Sequence, residues 1–141
     1  MMAGIKGKNT KPEIIVRKAL HAAGFRFRLH DKKLPGKPDI VLKKHNAAIF
    51  VHGCFWHGHQ CEQFRWPKSR KEFWRSKITG NQQRDAAVTK TLLAAGWRIL
   101  LVWECALRGN GIVGIASVAN QSNKWLKSNR VYEEIAENNV R

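Results

Sequence analysis

The sequence predicts an α/β fold: a single domain with one central mixed sheet flanked by helices. Three observations lead there. At 141 residues, 43% of them hydrophobic, the chain suits one core that buries roughly 68–70% of its extended surface. Helical and two-residue periodicities follow one another in the order helix, three strands, helices, strand, helix, the pattern of a sheet packed by helices. No internal repeat, low-complexity tract or domain boundary interrupts that order.

Thr10-Lys11-Pro12-Glu13 marks the first helix start, with Thr10 as N-cap, Glu13 closing a capping box and Pro12 in the first turn. Ile15, Val16, Ala19, Leu20 and Ala23 follow at helical spacing, and Gly24 supplies the stop. Phe25, Phe27 and Leu29 alternate with Arg26, Arg28 and His30 as in a half-buried strand. After the turn Leu34 to Pro38, Asp39–Leu42 and Ala47–Val51 read as two strands of a hairpin joined by Lys43–Asn46. Gln60–Lys71 reads as an irregular loop. A short helix is predicted around Glu72–Ile78 and a longer one from Asn81 to Ala95, stopped by Gly96. Trp97–Trp103 is an apolar strand and Ile112–Leu126 a helix, while Ser128–Arg141 is polar and expected to fray. On this reading residues 1–9 form an N-terminal arm and about 112–141 a C-terminal helical region.

The charge balance narrows the function. Lys and Arg number 26 against 10 Asp and Glu, a formal net charge of +16, so a polyanionic partner is expected, with counterion release dominating the affinity for nucleic acid. The cations are spread along the chain rather than gathered on one amphipathic helix, which disfavours an anionic membrane. No run approaches the roughly 20 apolar residues of a membrane span. Met1–Lys11 is polar and basic, without the apolar core of a secretory signal. The expected location is the cytoplasm, at the nucleoid. Three cysteines argue against a pure disulfide framework and for metal ligation or buried thiols.

Val51 to Cys61 reads Val-His-Gly-Cys-Phe-Trp-His-Gly-His-Gln-Cys. Cys54, His59 and Cys61, joined by the distant Cys105, make a Cys3His set suited to tetrahedral zinc. Four protein ligands make such a site structural; three free thiols and an exposed histidine are the alternative. Asp39 opens a strand after Pro38. Nucleases of the restriction-endonuclease type place an Asp at such a strand start, as a hard oxygen ligand for Mg²⁺, and Glu-x-Lys on the next strand. Here that strand ends in Val51-His52-Gly53, without the second acid or the lysine. His57, not needed to complete the zinc set, suits proton transfer from an attacking water, with an alternative zinc ligand or a surface histidine as the competing assignments. His52 is either a second acid/base or phosphate-binding group or a structural histidine. Phe55 and Trp56, with Trp74 among Lys71, Arg75 and Glu72, are candidates to wedge between base pairs, which costs less at a mismatch. Trp97 and Trp103 flank an apolar strand and read as core, while Trp66 and Trp125 remain unassigned.

These segments resemble the very-short-patch repair (Vsr) endonucleases, which nick DNA beside thymine–guanine mismatches. The resemblance is carried by Lys6 to Glu13, Leu34 to Asp39, Phe50 to His57 with His59 and Cys61, Glu72-Phe73-Trp74, and Trp103 to Gly109, together spanning about residues 2–110. It implies a restriction-endonuclease-like fold with a structural zinc site. Asp39 would be the central Mg²⁺ ligand, helped by the backbone carbonyl of Val51. His57 would activate water, His52 assist at the phosphate, and Glu13 serve as the helix acid near the site. Cys54, His59, Cys61 and Cys105 would hold zinc, and Phe55, Trp56 and Trp74 would insert beside the mismatch. Met2 and Ile5 match contact positions of the family's N-terminal arm, which is shorter here.

The leading expectation is therefore a Mg²⁺-dependent, strand-specific nicking endonuclease for T·G mismatches in double-stranded DNA. It would initiate repair of deaminated 5-methylcytosine as a monomer, alongside repair-pathway proteins. Two other readings stand beside it: a nuclease of the same fold with broader specificity, and a zinc-stabilised DNA-binding module without catalysis.

Overall fold

The structure, a computed structural model, describes residues 10–59, 61, 64–107 and 111–137, with only the backbone for 111–113. In chain order it contains α1 (Lys11–Ala22), β1 (Arg28–Leu29), β2 (Ile40–Leu42), β3 (Ala47–His52), α2 (Lys71–Ala94), β4 (Arg98–Trp103), α3 (Gly111–Lys127) and β5 (Tyr132–Ile135), with 3-10 turns at Lys43–His45 and Glu104–Ala106. The strands form one mixed sheet in the order β1-β2-β3-β4-β5. The first two pairings are antiparallel and the last two parallel.

Alternation along the strands sorts the core into two layers. Ile40, Leu42, Ala47, Ile49, Leu100 and Val102 pack with Val16 and Leu20 of α1 and Val118, Trp125 and Leu126 of α3. Ala48, Phe50 and Ile99 face the other way, onto Leu92, Val88 and Leu93 of α2. Being covered on both sides, β2 and the first four residues of β3 are fully apolar and buried. At the base of the sheet Arg98 lies 4.4 Å over the ring of Trp125 and donates to the carbonyls of His45, Trp125, Leu126 and Arg130, closing the C-terminus of α3.

The structure departs from the sequence reading at four places. Thr10 has N-cap backbone geometry but makes no side-chain cap hydrogen bond; the capping box is absent because Glu13 turns inward and is only 1% exposed. Of the strand expected from Phe25 to Leu29, only Arg28–Leu29 pairs. The backbone N–H of Phe25 instead donates to Leu20, holding that residue at the helix end, and both Phe25 and Phe27 pack on the α1/α3 core. The two helices expected on either side of Thr79-Gly80 are one, α2. A glycine inside a helix costs about 1 kcal/mol, less than is regained by burying Ile78 before it and Leu92 after it. Finally, the described part of the tail after Lys127, expected to be frayed or helical, holds a strand. Tyr132–Ile135 adds an edge strand to β4, anchored by the fully buried Ile135.

Candidate active site and metal centre

The β2–β3 hairpin brings Asp39 to the end of the sheet where β3 finishes. Its Oδ2 accepts a 2.7 Å hydrogen bond from the backbone N–H of Val51, and its carbonyl accepts one of 3.1 Å from the N–H of His30. Burial, more than any other cause, pushes the Asp39 carboxyl from its ordinary 3.8 up to about 7; the Val51 bond opposes this and the neighbouring Glu13 adds to it. Glu13, on α1, reaches Arg17 Nη1 at 3.3 Å and His30 Nε2 at 2.5 Å. Ligand atoms of Glu13, His30 and Asp39 lie within 4.8 Å of one another. Two carboxyl groups sharing a buried site repel as anions, and a hard divalent cation with oxygen preference removes that cost, so the donor set fits Mg²⁺. The side chain of Val51 packs on the core, leaving its main chain as the polar group at this point of the site.

Beside this pair, His52 and His57 stack with centroids 3.7 Å apart and planes parallel. His57 Nδ1 lies 2.5 Å from Asp85 Oδ2. A carboxylate partner requires the proton on Nδ1, leaving Nε2 as a proton acceptor. His52 is held neutral: burial first, then the His57 ring, push it down to about 3, against the pull of Asp85. Its buried Nδ1 has no hydrogen-bond partner among the described residues. Asp39, His52, His57 and Asp85 line one cleft of about 270 Å³, together with Lys37, Val51 and the apolar floor of Phe50, Val88 and Leu101. A larger depression of about 560 Å³ at the opposite end of the hairpin is lined by Arg26, Arg28, Lys43, Lys44 and His45; it contains no acid and lacks the chemistry of this cleft.

The loop after β3 folds back on itself, with His57 N–H bonded to Gly53, Gly58 to Phe55 and His59 to Cys54. The turn gathers Cys54, His59, Cys61 and Cys105 within 4.8 Å, a group that can hold a metal ion. His59 Nδ1 is 3.6 Å from both Cys54 Sγ and Cys105 Sγ. Zinc–sulfur and zinc–nitrogen bonds of about 2.3 and 2.0 Å set a tetrahedral S···N edge of roughly 3.5 Å, so the spacing suits zinc. Amide donors from Cys105 and Glu137 point at two of the sulfurs. The Cys105 thiol is lowered to about 7, chiefly by its hydrogen bond with Cys54, whose own thiol is pushed up by that contact and by burial; a cation resolves this competition by stabilising the thiolates together. The His59 ring also stacks on Trp103 at 4.0 Å, which Glu134 fixes through the indole N–H.

Phe55, Trp56 and Trp74 form one cluster, with centroid separations of 5.2, 5.3 and 5.6 Å. Phe64 stacks on Phe55 and leads to the exposed Trp66, over which Arg75 lies at 5.2 Å. Trp125 is core, 0% exposed. Met2 and Ile5 lie outside the described residues.

Residues 1–63 match the family described as DNA mismatch endonuclease Vsr. The type II nicking enzyme V.XorIIP of Xanthomonas oryzae pv. oryzae is 50% identical over 79% of this chain and 82% of its own length. DNA mismatch endonuclease Vsr of Escherichia coli is 40% identical over 89% of this chain and 80% of its own. The chain belongs to the Vsr family of DNA mismatch endonucleases. A further relative, the type II nicking enzyme V.NmeAIP of Neisseria meningitidis, is 47% identical over 79% of this chain and 80% of its own length.

In this Vsr-family endonuclease the fold supplies residues that sequence reasoning did not single out. Asp85 pairs with His57 from the middle of α2, and Lys37 lines the cleft. Asn81 donates to the Trp56 carbonyl at 2.8 Å and Gln82 to those of His57 and Gly58 at 3.3 Å, pinning the loop against the helix. Gly58, at φ +62°, allows this approach: a Cβ would lie 2.4 Å from Gln82 and 2.7 Å from Ile78. The one signal available for Asp85 was scarcity, since the chain has three aspartates. No described helix is long and apolar enough to cross a membrane.

Proposed function

We propose that this protein is a Mg²⁺-dependent, strand-specific endonuclease that nicks double-stranded DNA at T·G mismatches and so initiates very-short-patch repair of deaminated 5-methylcytosine. The observation that carries the reading is one cleft holding both a carboxylate for a hard cation and a carboxylate-oriented histidine, with three clustered aromatic rings on the loop and helix that build it. Bound by Asp39 and the Val51 carbonyl, Mg²⁺ would stabilise the charge that grows on the phosphate. His57 takes the proton of the attacking water through Nε2, while Asp85 holds the tautomer and steadies the ring as it becomes cationic. His52, neutral, contacts the phosphate from the stacked position, and Glu13 supports Asp39. The product carries a 5′-phosphate on the thymine side.

Phe55, Trp56 and Trp74 insert beside the mismatch, where unstacking costs least. Structural zinc on Cys54, His59, Cys61 and Cys105 stiffens the loop that presents two of these rings. Met2 and Ile5 of the arm add contacts to DNA. The basic chain works as a monomer at the nucleoid in a restriction-endonuclease-like fold, with repair-pathway proteins acting on the nick. The type II nicking enzymes among the relatives favour one second reading, a nuclease of this fold with broader mismatch or sequence specificity.

The test is a nicking assay on a panel of mismatched and matched duplexes, with Mg²⁺ or chelator. Asp39→Ala should retain mismatch binding and lose nicking. Nicking that survives either the substitution or the chelator removes the mechanism, and equal cleavage across the panel selects the broader nuclease.

A further inference from the structure

We propose that His30 is a positioning residue of the nicking site, tying the Glu13 carboxylate to the main chain of Asp39 and so setting the affinity of the two acids for a divalent cation; this rests on the metal-dependent reading above. His30 belongs to neither acid's element. It follows β1 and holds φ +50°, a left-handed conformation uncommon outside glycine and found where surrounding contacts enforce it. Here the contact is the backbone bond from His30 N–H to the carbonyl of Asp39, 3.1 Å. The same residue sends its half-buried ring to Glu13, with Nε2 2.5 Å from Oε2. One residue thus grips both acids, Asp39 with its main chain and Glu13 with its side chain.

Arg17 also meets Glu13 Oε2, at 3.3 Å, but it stands one turn along the same helix and moves with it. It supplies charge to a carboxylate that is 1% exposed without fixing where that carboxylate lies relative to the hairpin. His30 links the helix acid to the strand acid across the edge of the sheet. The bond to a carboxylate requires Nε2–H as donor, so a glutamine amide can replace it in kind while alanine cannot. Partners of this sort that orient metal ligands commonly change metal affinity by about 10- to 100-fold when removed.

The experiment compares wild type, His30→Ala and His30→Gln, with Mn²⁺ as the probe. Mn²⁺ binding is read from the loss of the free-ion electron paramagnetic resonance signal, and affinity for a T·G duplex is measured in chelator. His30→Ala should weaken Mn²⁺ binding by about tenfold or more and raise the Mg²⁺ concentration for half-maximal nicking in parallel. Its chelator-phase affinity for the duplex should be unchanged. His30→Gln should recover most of both metal readouts. An alanine variant that melts like wild type and binds Mn²⁺ equally overturns the inference, as does a folded glutamine variant that is no better than alanine. Wild type that binds no Mn²⁺ and nicks in chelator overturns the metal-dependent reading itself, and the inference with it.

Discussion

Asp85→Asn isolates the contribution of the His57–Asp85 pair, the contact least visible in the sequence. The wild-type bond is 2.5 Å, with the two side chains 23% and 32% exposed. A hydrogen bond to a charged group contributes roughly 1.5–3 kcal/mol. Because both side chains keep access to water, the lower part of that range applies, about 2 kcal/mol, which corresponds to about 30-fold in rate. Asparagine can also turn its amide N–H toward Nδ1, which forces the ring proton onto Nε2 and removes the base. About 30-fold is therefore the minimum expected loss. The assay is single-turnover nicking of a labelled T·G duplex with enzyme in excess, beside duplex affinity measured by fluorescence anisotropy without divalent cation. The rate should fall while the affinity stays within about twofold, the pattern of an interaction made in the transition state. Asp85→Asn nicking at the wild-type rate, or a rate loss matched by lost binding, would refute the assignment of Asp85 as the orienting group.

Trp74→Ala should lose mismatch affinity by about 1–3 kcal/mol, the usual scale of aromatic–base stacking, while matched duplex is bound almost as before; anisotropy on both duplexes checks it, and equal losses on the two would remove Trp74 from mismatch recognition. Cys105→Ala, at a position 0% exposed, should abolish tight zinc binding, seen by elemental analysis, and lower the thermal midpoint, because the loop and the Glu104–Ala106 turn would lose the ion proposed to join them. Retention of a full zinc equivalent would show that the cluster is not the zinc site. Arg98→Met keeps the stem over Trp125 and deletes four hydrogen bonds to carbonyls; about 2–4 kcal/mol of folding stability should go, read as a lower urea midpoint with unchanged slope, and a shift below about 0.5 kcal/mol would mean that water replaces the guanidinium.

Local signals carried much of the fold. Val16 and Leu20 at helical spacing, the apolar runs of β2, β3 and β4, and the glycines at 24 and 96 placed most elements within a few residues. The errors share one cause. Glu13 at N3 reads locally as a cap, Gly80 as a break and Ser128 onward as solvent-exposed tail, yet each is decided by a distant partner. For Glu13 it is His30; for the Gly80 region it is the core under Ile78 and Leu92; for the tail it is the open edge of β4, which pairs with Tyr132–Ile135. The chemistry divides the same way. Cys54, His59 and Cys61 and the rings of Phe55 and Trp56 are dense in one segment and easily read as candidates. Asp85 and His30 stand alone among ordinary helical and loop residues.

The sequence by itself determined the types of group available: a Cys3His set, a strand-start acid, paired histidines, loop aromatics and an excess of positive charge. These follow from side-chain chemistry and short spacing, which folding does not alter. Only the tertiary structure decided which groups act together. It matched His57 with Asp85 across 28 residues of chain and Glu13 with His30 across 17, because sheet pairing and helix packing, not proximity in sequence, set distances of a few ångströms. A buried charge is stable only beside such a partner, and the partner becomes visible once the chain has folded.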